Sequence, residues 1–95
     1  MKKWYHEDWQ FQFEVKEVKG GLDNCRLGLE PGDSFSGNYG CPEGFCPKTM
    51  LVAYHLMEVV RSGGDLRKLG GQGEKTFCFT CPDGVVRYRF TAQRL

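Results

Sequence analysis

Apolar and polar side chains alternate along residues 10–19, which read QFQFEVKEVK. Phe11, Phe13 and Val15 occupy every second position, which is the period of a β-strand with one buried and one exposed face. Val18 is out of phase with these three residues. The pattern therefore predicts a strand over residues 10–19 that bulges or ends near Val18.

A wider apolar pattern in residues 47–62, PKTMLVAYHLMEVVRS, predicts the one helix of the chain. Proline suits the first helical position because its missing N–H would have no partner there, so Pro47 marks the start. Two glycines at 63 and 64 mark the end. His55 and Glu58 fall on the polar side of the helix. This start places Cys46 at the N-cap of the predicted helix.

A hairpin is predicted in the closing segment, KTFCFTCPDGVVRYRFTAQRL, where Asp83-Gly84 separates two apolar runs. If these two residues form the loop, Phe79 lies opposite Tyr88 and both share one face. A three-residue loop that includes the preceding proline would instead set Phe79 against Arg87. We favour the two-residue loop, because a slip of one residue would move a whole apolar set to solvent.

The element order is strand, short strand, helix, strand, strand, with the short strand expected around residues 33–36 after the turn EPGD. One helix has to cover one face of the sheet. We therefore predict a two-layer α+β fold: a small antiparallel sheet of three to four strands, order β-β-α-β-β, covered by one helix at about 47–62. A chain of 95 residues forms a single domain, 1–95. Within it we expect an N-terminal tail at 1–9 and a folded core at 10–95.

The charge balance and the apolar segments exclude several classes of function. Thirteen basic and twelve acidic residues give a net charge of +1, which provides no general attraction for nucleic acid. No apolar segment is long enough for a membrane span, and no signal peptide is recognised, so we expect a cytoplasmic protein with reduced thiols. Trp4, Tyr5 and Trp9 form an aromatic N-terminus that either packs on the sheet or provides a surface for a protein partner or a homo-oligomer.

Five cysteines carry the candidate chemistry. Cys41 and Cys46 form one close pair, and Cys78 and Cys81 form another. This spacing can deliver four thiolates to zinc or iron. The predicted strand opposes such a set, because Cys78 and Cys81 are three residues apart and would point to opposite faces of the sheet. Cys25 stands alone in a loop.

Cys46 is also the candidate for thiol chemistry. A helix N-terminus lowers the pKa of a cysteine through unpaired backbone N–H groups and the positive end of the helix dipole. A cysteine nucleophile usually needs a base, and the two histidines are His6 and His55. His55 lies nearly three turns from Cys46, so a binding protein is favoured over an enzyme. The cysteines would otherwise be small, inert core residues.

Several motifs resemble those of a small family of bacterial and archaeal proteins that has no assigned activity. The matching segments are CRLGLEPGDSF, PEGFC at the start of the helix, SGGDL, and C-x-D-G between the closing strands, and they cover roughly residues 11–94. The resemblance maps onto Cys25, Gly32, Phe35, Glu43, Gly44, Phe45, Cys46, Gly63, Gly64, Cys81, Asp83 and Gly84. Cys41 and Cys78 lie off this pattern.

The resemblance favours Cys25, Cys46 and Cys81 over the two local cysteine pairs. Three cysteines suit a metal site with an open position. We therefore predict a small cytoplasmic binding protein that holds zinc or iron through these three residues, with Cys41 and Cys78 as weaker candidate ligands. Two alternatives stay open: a thiol-redox or small-ligand-binding protein that uses Cys46, and a structural or interaction domain with inert buried cysteines.

Overall fold

Four strands and one helix make up the computed structural model, which describes residues 6–95. The strands are β1 (Trp9–Val18), β2 (Ser34–Gly37), β3 (Thr76–Thr80) and β4 (Val86–Arg94), and the helix is α1 (Met50–Arg61). Short 3-10 turns lie at Leu22–Asn24 and Leu66–Leu69. The predicted α+β class, with a small antiparallel sheet and one helix, is confirmed. No helix in the described part of the chain is long and apolar enough to cross a bilayer.

The strands form one antiparallel sheet in the order β2-β1-β4-β3, with β1 and β4 at its centre. β1 follows the predicted alternation, because Phe11, Phe13 and Val15 are fully buried. Its pairing with β4 shifts between Val15 and Glu17, and Val18 is again on the buried side. A β-bulge therefore explains the valine that is out of phase in the sequence.

The hairpin of β3 and β4 has the predicted register, because Phe79 lies opposite Tyr88. Its turn, however, is not a two-residue loop. The Gly84 N–H donates to the Cys81 carbonyl at 2.8 Å, so the turn encloses the proline and the aspartate. Gly84 has a φ of 76°, a conformation that favours glycine, and no non-glycine residue in the described chain has a positive φ. Pro-Asp-Gly chemistry thus sets the turn, while apolar alternation sets the register.

One face of the sheet is apolar and packs beneath α1. Aromatic rings dominate this face: the ring centroids of Phe13 and Phe90 are 5.2 Å apart, and those of Phe79 and Tyr88 are 5.3 Å apart. The helix covers them with four buried side chains, Ala53, Leu56, Met57 and Val60. The domain therefore has one core, between the helix and the aromatic face of the sheet.

The helix α1 begins at Met50, three residues later than the proline predicts. Residues 47–49 form a turn instead, in which the Thr49 N–H donates to the Cys46 carbonyl at 3.0 Å and the Met50 N–H donates to the Pro47 carbonyl at 3.2 Å. Both bonds join residues three apart, which is the spacing of a 3-10 turn. The expectation that Cys46 is the N-cap of the α-helix is therefore wrong: Thr49 holds that position, and Cys46 precedes the turn.

Part of the predicted tail belongs to the sheet. β1 begins at Trp9, one residue before the predicted start of the folded core. The Leu95 N–H donates to the Asp8 carbonyl at 2.8 Å, which extends this edge of the fold by a further residue. The first five residues of the tail, including Trp4 and Tyr5, lie outside the described residues.

Arg61, the last residue of α1, joins the helix to β1 and to the loop after β2. Its guanidinium carbon lies 5.0, 4.9 and 5.8 Å from the ring centroids of Phe11, Tyr39 and Tyr54. Its Nε donates to both carboxylate oxygens of Glu7, at 3.0 and 3.1 Å. The two side chains are only 12% and 10% exposed. Because this pair is largely withdrawn from water, removing one partner leaves a poorly solvated charge.

We predict that Arg61→Gln lowers the free energy of unfolding by about 3 kcal/mol, because it removes the charge that compensates Glu7. Urea denaturation measures the loss. The matched control is Arg89→Gln: Arg89 pairs with Glu14 at 2.9 Å, but its side chain is 46% exposed. We expect a loss of about 0.5 kcal/mol there. Equal losses for the two variants would contradict the structural role of Arg61.

Candidate thiol site

A cavity of about 570 Å³ lies between the start of α1 and the hairpin of β3 and β4. Three parts of the chain line it: residues 24–27, residues 46–49, and the hairpin with the following strand. The hairpin part contributes Cys81, Asp83, Val85, Val86 and Tyr88. Because these parts are far apart in sequence, the cavity exists only in the folded chain.

Three cysteines line this cavity: Cys25, Cys46 and Cys81. Cys25 follows the first 3-10 turn, Cys46 precedes the turn before α1, and Cys81 follows β3. The Cys81 sulfur accepts the Val86 N–H at 3.3 Å, while the Cys81 N–H donates to the Val86 carbonyl at 2.8 Å. All five cysteines lie within the described residues, and all are free thiols. The structure thus brings the three cysteines favoured by the motif resemblance to one wall.

Phe45 fixes the position of Cys46 above the sheet. Its side chain is 3% exposed, and its ring centroid lies 4.8 Å from that of Phe13 and 5.4 Å from that of Tyr88. Full burial of a phenylalanine side chain contributes about 2–3 kcal/mol. Because Cys46 is the next residue, this packing holds it over the inward face of β4.

The pKa of the Cys46 thiol is lowered from its ordinary value. Burial is the largest single effect, and it acts in the opposite direction. It is outweighed by the nearby Thr49 hydroxyl and by the backbone N–H groups of Thr49 and Lys48, which favour the thiolate. The negative charge of Asp83 raises the pKa slightly. The turn before α1 therefore supplies the donors that the predicted N-cap position would have supplied.

Two hydroxyl groups on the cavity wall were not identified from the sequence. Thr49 and Tyr88 are each 0% exposed, and neither side-chain oxygen has a hydrogen-bond partner of good geometry among residues 6–95. The Thr49 hydroxyl nevertheless lies near enough to favour the charged forms of Cys46 and Tyr88. A buried hydroxyl without a partner costs about 1–3 kcal/mol. Both oxygens are inaccessible to solvent, so they lie behind the cavity surface, next to the Cys46 thiol.

Burial raises the pKa of the Tyr88 hydroxyl to about 12, against a smaller opposing effect of the Thr49 hydroxyl. Negative charge on Cys46, Cys81 and Cys25 adds to the rise. The three sulfurs therefore all lie within electrostatic range of the phenol. At neutral pH the Tyr88 hydroxyl keeps its proton and is able to donate a hydrogen bond.

Charged side chains lie at the mouth of the cavity. The Lys48 ammonium contacts one oxygen of Asp83 at 2.8 Å, and the Arg26 guanidinium lies 3.9 Å from the other. The hydrogen bond from Lys48 holds the pKa of Asp83 below its ordinary value, and the charges of both cations act in the same direction. Two cations and one carboxylate leave the mouth with a single excess positive charge. The site is therefore compatible with a neutral or an anionic ligand.

The remaining two cysteines do not line the cavity. Cys78 precedes the inward-facing Phe79 in β3 and so points to the opposite face of the sheet, as predicted. Cys41 is exposed as a residue, but its sulfur is partly buried and donates to the Phe45 carbonyl at 3.7 Å. This burial, and then the charge of Cys46, raise the pKa of Cys41. The thiol pKa is therefore raised in Cys41 and lowered in Cys46, although these two cysteines are neighbours.

Cys25, Cys46 and Cys81 share the cavity wall, yet within residues 6–95 no group of three or more His, Cys, Asp or Glu side chains is placed to hold a metal ion. Neither histidine of the described chain, His6 or His55, is on the wall. Among the described residues, the cavity lining therefore has three thiols and no imidazole.

No family model matches this chain, and searches of the curated proteins and of the solved structures found no match either. The family resemblance of the motifs therefore stays a prediction. The function has to be argued from the geometry of the cavity.

We predict that Thr49→Val and Tyr88→Phe leave the free energy of unfolding unchanged or raise it by about 1 kcal/mol, because each removes a buried hydroxyl without a partner. Thr49 makes no side-chain capping bond that valine would lose. Chemical denaturation measures the effect. Tyr54→Phe is the matched control: the Tyr54 hydroxyl donates to that of Tyr39 at 3.2 Å, so its loss should destabilise by about 0.5–1 kcal/mol. A loss above about 1 kcal/mol in the first two variants would show that their hydroxyls have partners.

Proposed function

We propose that this protein is a small-ligand-binding protein whose reactive group is the Cys46 thiolate. One observation carries the proposal: three thiols from distant parts of the chain line the same cavity, and the pKa of one of them, Cys46, is lowered. The volume of about 570 Å³ falls within the range of about 300–1,000 Å³ typical of small-molecule sites. Reduced thiols are part of the proposal, which therefore includes a cytoplasmic location.

Within the cavity wall, Cys46 has the best environment for a nucleophile. It lies beside the Thr49 hydroxyl and the N–H groups of the turn, which favour the thiolate. Cys41 is its natural reference, because it is nearby, is exposed as a residue, and has a raised pKa. Accessibility alone would favour reaction at Cys41, whereas ionisation favours Cys46.

We predict that iodoacetamide modifies Cys46 severalfold faster than Cys41 at pH 7, because the lowered pKa of Cys46 and the raised pKa of Cys41 give Cys46 the larger thiolate fraction. Peptide mass spectrometry of a time course measures both rates in one sample. The ratio should be largest near neutral pH and should fall as the pH rises, because Cys41 ionises later.

Two serine variants complete this experiment. Cys46→Ser should remove the fast phase of modification, whereas Cys78→Ser, on the opposite face of the sheet, should leave it unchanged. Equal or faster modification of Cys41 at pH 7 would refute the assignment of Cys46.

A metal function is the second candidate, supported by the shared wall of Cys25, Cys46 and Cys81. A zinc or iron centre would have to draw these thiols together, because the described residues contain no group already placed to hold a metal. The three thiolates would then leave an open coordination position for a further ligand.

Titration of the reduced protein with cobalt(II) separates the two candidates. A one-to-one complex with thiolate-to-cobalt charge-transfer absorption, lost in Cys25→Ser, Cys46→Ser and Cys81→Ser but kept in Cys78→Ser, would favour the metal function. From the cavity proposal we expect weak binding with no common dependence on the three cysteines. A protein partner or a homo-oligomer remains a separate prediction.

A further inference from the structure

The charged side chains on the cavity lining give its mouth an excess of positive charge. Among the described residues the lining has three charged members: Arg26, Lys48 and Asp83. The whole chain has a net charge of only +1, so the rest of the molecule is balanced and the mouth holds the excess. An anionic ligand is therefore attracted to the mouth, whereas a cationic ligand is repelled.

Both cations keep hydrogen-bond donors for a ligand. The Lys48 ammonium donates to one oxygen of Asp83 at 2.8 Å, which leaves its other N–H groups available. The Arg26 guanidinium lies 3.9 Å from the second oxygen, which is an ion pair too long for a hydrogen bond. The Arg26 side chain is 86% exposed. A second carboxylate can therefore bind to both cations without displacing Asp83.

The convergence of these charges depends on the fold. Arg26 lies in the loop after the first 3-10 turn, Lys48 in the turn before α1, and Asp83 in the turn between β3 and β4. They meet at the mouth of the cavity whose wall contains Cys46. Ordinary surface charges are spread over solvated faces. Two cations from separate segments at one cavity mouth instead define a place for an anion.

Apolar side chains on the same lining restrict the ligand further. Leu27, Pro47 and Val85 line the cavity together with the thiols. An inorganic anion would leave this apolar surface uncovered, and a neutral apolar molecule would leave the donors of the two cations unused. A molecule with an apolar body and one carboxylate complements both parts of the lining.

We propose that the ligand is a small organic acid, with its carboxylate bound by Arg26 and Lys48 at the mouth and its apolar body inside the cavity, beside Cys46. This inference rests on the proposed function, because it identifies the ligand of the same cavity. Arginine and lysine both donate charge-assisted hydrogen bonds to carboxylate oxygens, and these are stronger than neutral ones.

The first test compares two alkylating reagents on Cys46: iodoacetate, which carries a carboxylate, and iodoacetamide, its neutral analogue. The same thiolate attacks both, so the ratio of the two rates does not depend on the pKa of the thiol. The reference is the same ratio in the protein unfolded in urea, where the three segments no longer meet.

At low salt we expect the iodoacetate-to-iodoacetamide ratio of Cys46 to be about threefold higher in the folded protein than in the unfolded one. The difference should disappear at about 1 M salt, where the Debye length is about 3 Å. Peptide mass spectrometry of a time course measures both rates. An equal or lower ratio in the folded protein at low salt would overturn the proposal.

Four variants assign the preference to the mouth. Arg26→Gln and Lys48→Gln should each lower the ratio by about half or more, whereas Asp83→Asn should raise it by removing the negative charge of the lining. Lys16→Gln is the matched control, because Lys16 is 43% exposed, close to the 45% of Lys48, and does not line the cavity. It should leave the ratio unchanged. A loss as large as that of Lys48→Gln would show an effect of net charge and refute the site.

The apolar body is tested by protection of Cys46 from iodoacetamide. Phenylacetate at about 10 mM should slow the modification at least about threefold, since a dissociation constant of about 1 mM is within reach of a molecule of this size. Its neutral analogue phenylacetamide, and inorganic phosphate at equal ionic strength, should protect less. Equal protection by either one, or none by phenylacetate, would overturn the assignment of an organic acid.

The two proposals fail in different ways. Modification of Cys46 by iodoacetamide faster than that of Cys41, without any preference for iodoacetate, would overturn only the organic acid. Modification of Cys46 no faster than that of Cys41 would overturn the proposed function itself.

Discussion

The register of β4 is the constraint on which the rest of the structure depends. β4 lies between β1 and β3, so both of its edges are hydrogen-bonded, and Val86, Tyr88 and Phe90 are all buried on the helix side. A slip of one residue would move this whole set to the opposite face. It would also remove the ring of Tyr88 from Phe45, whose packing holds Cys46 in place. Core and cavity therefore depend on the same strand alignment.

Much of this alignment could be predicted from the sequence, because apolar alternation reports directly which face of a strand is buried. The alternation identified β1, its bulge near Val18 and the pairing of Phe79 with Tyr88. The same argument separated Cys78 from Cys81. What alternation does not report is backbone geometry between the strands. Proline at position 47 is compatible with the first turn of an α-helix and with the 3-10 turn that is present, so the start of α1 was placed three residues early.

The cavity was predicted only in part, because a site formed by distant segments depends on packing. The motif resemblance selected Cys25, Cys46 and Cys81, and all three lie on the wall. Thr49 and Tyr88 were missed. Their signals in the sequence are weak: one polar residue three positions after Cys46, and one hydroxyl on an otherwise apolar strand face. Neither signal shows that the hydroxyl lacks a partner, which only the packed structure shows.

The Cys46 thiol and the Tyr88 hydroxyl have pKa values that are shifted in opposite directions. Hydrogen bonding lowers the pKa of the Cys46 thiol, while burial raises that of Tyr88 to about 12. The Cys46 thiol thus ionises at a lower pH than an ordinary thiol, while the Tyr88 hydroxyl holds its proton at neutral pH. A single hydrophobic pocket could not give both results, because burial alone raises both pKa values. The difference comes from the turn at residues 47–49, whose N–H groups reach the thiol. The two buried hydroxyls behind this cavity have a cost in stability that the aromatic core and the Arg61 pair offset elsewhere.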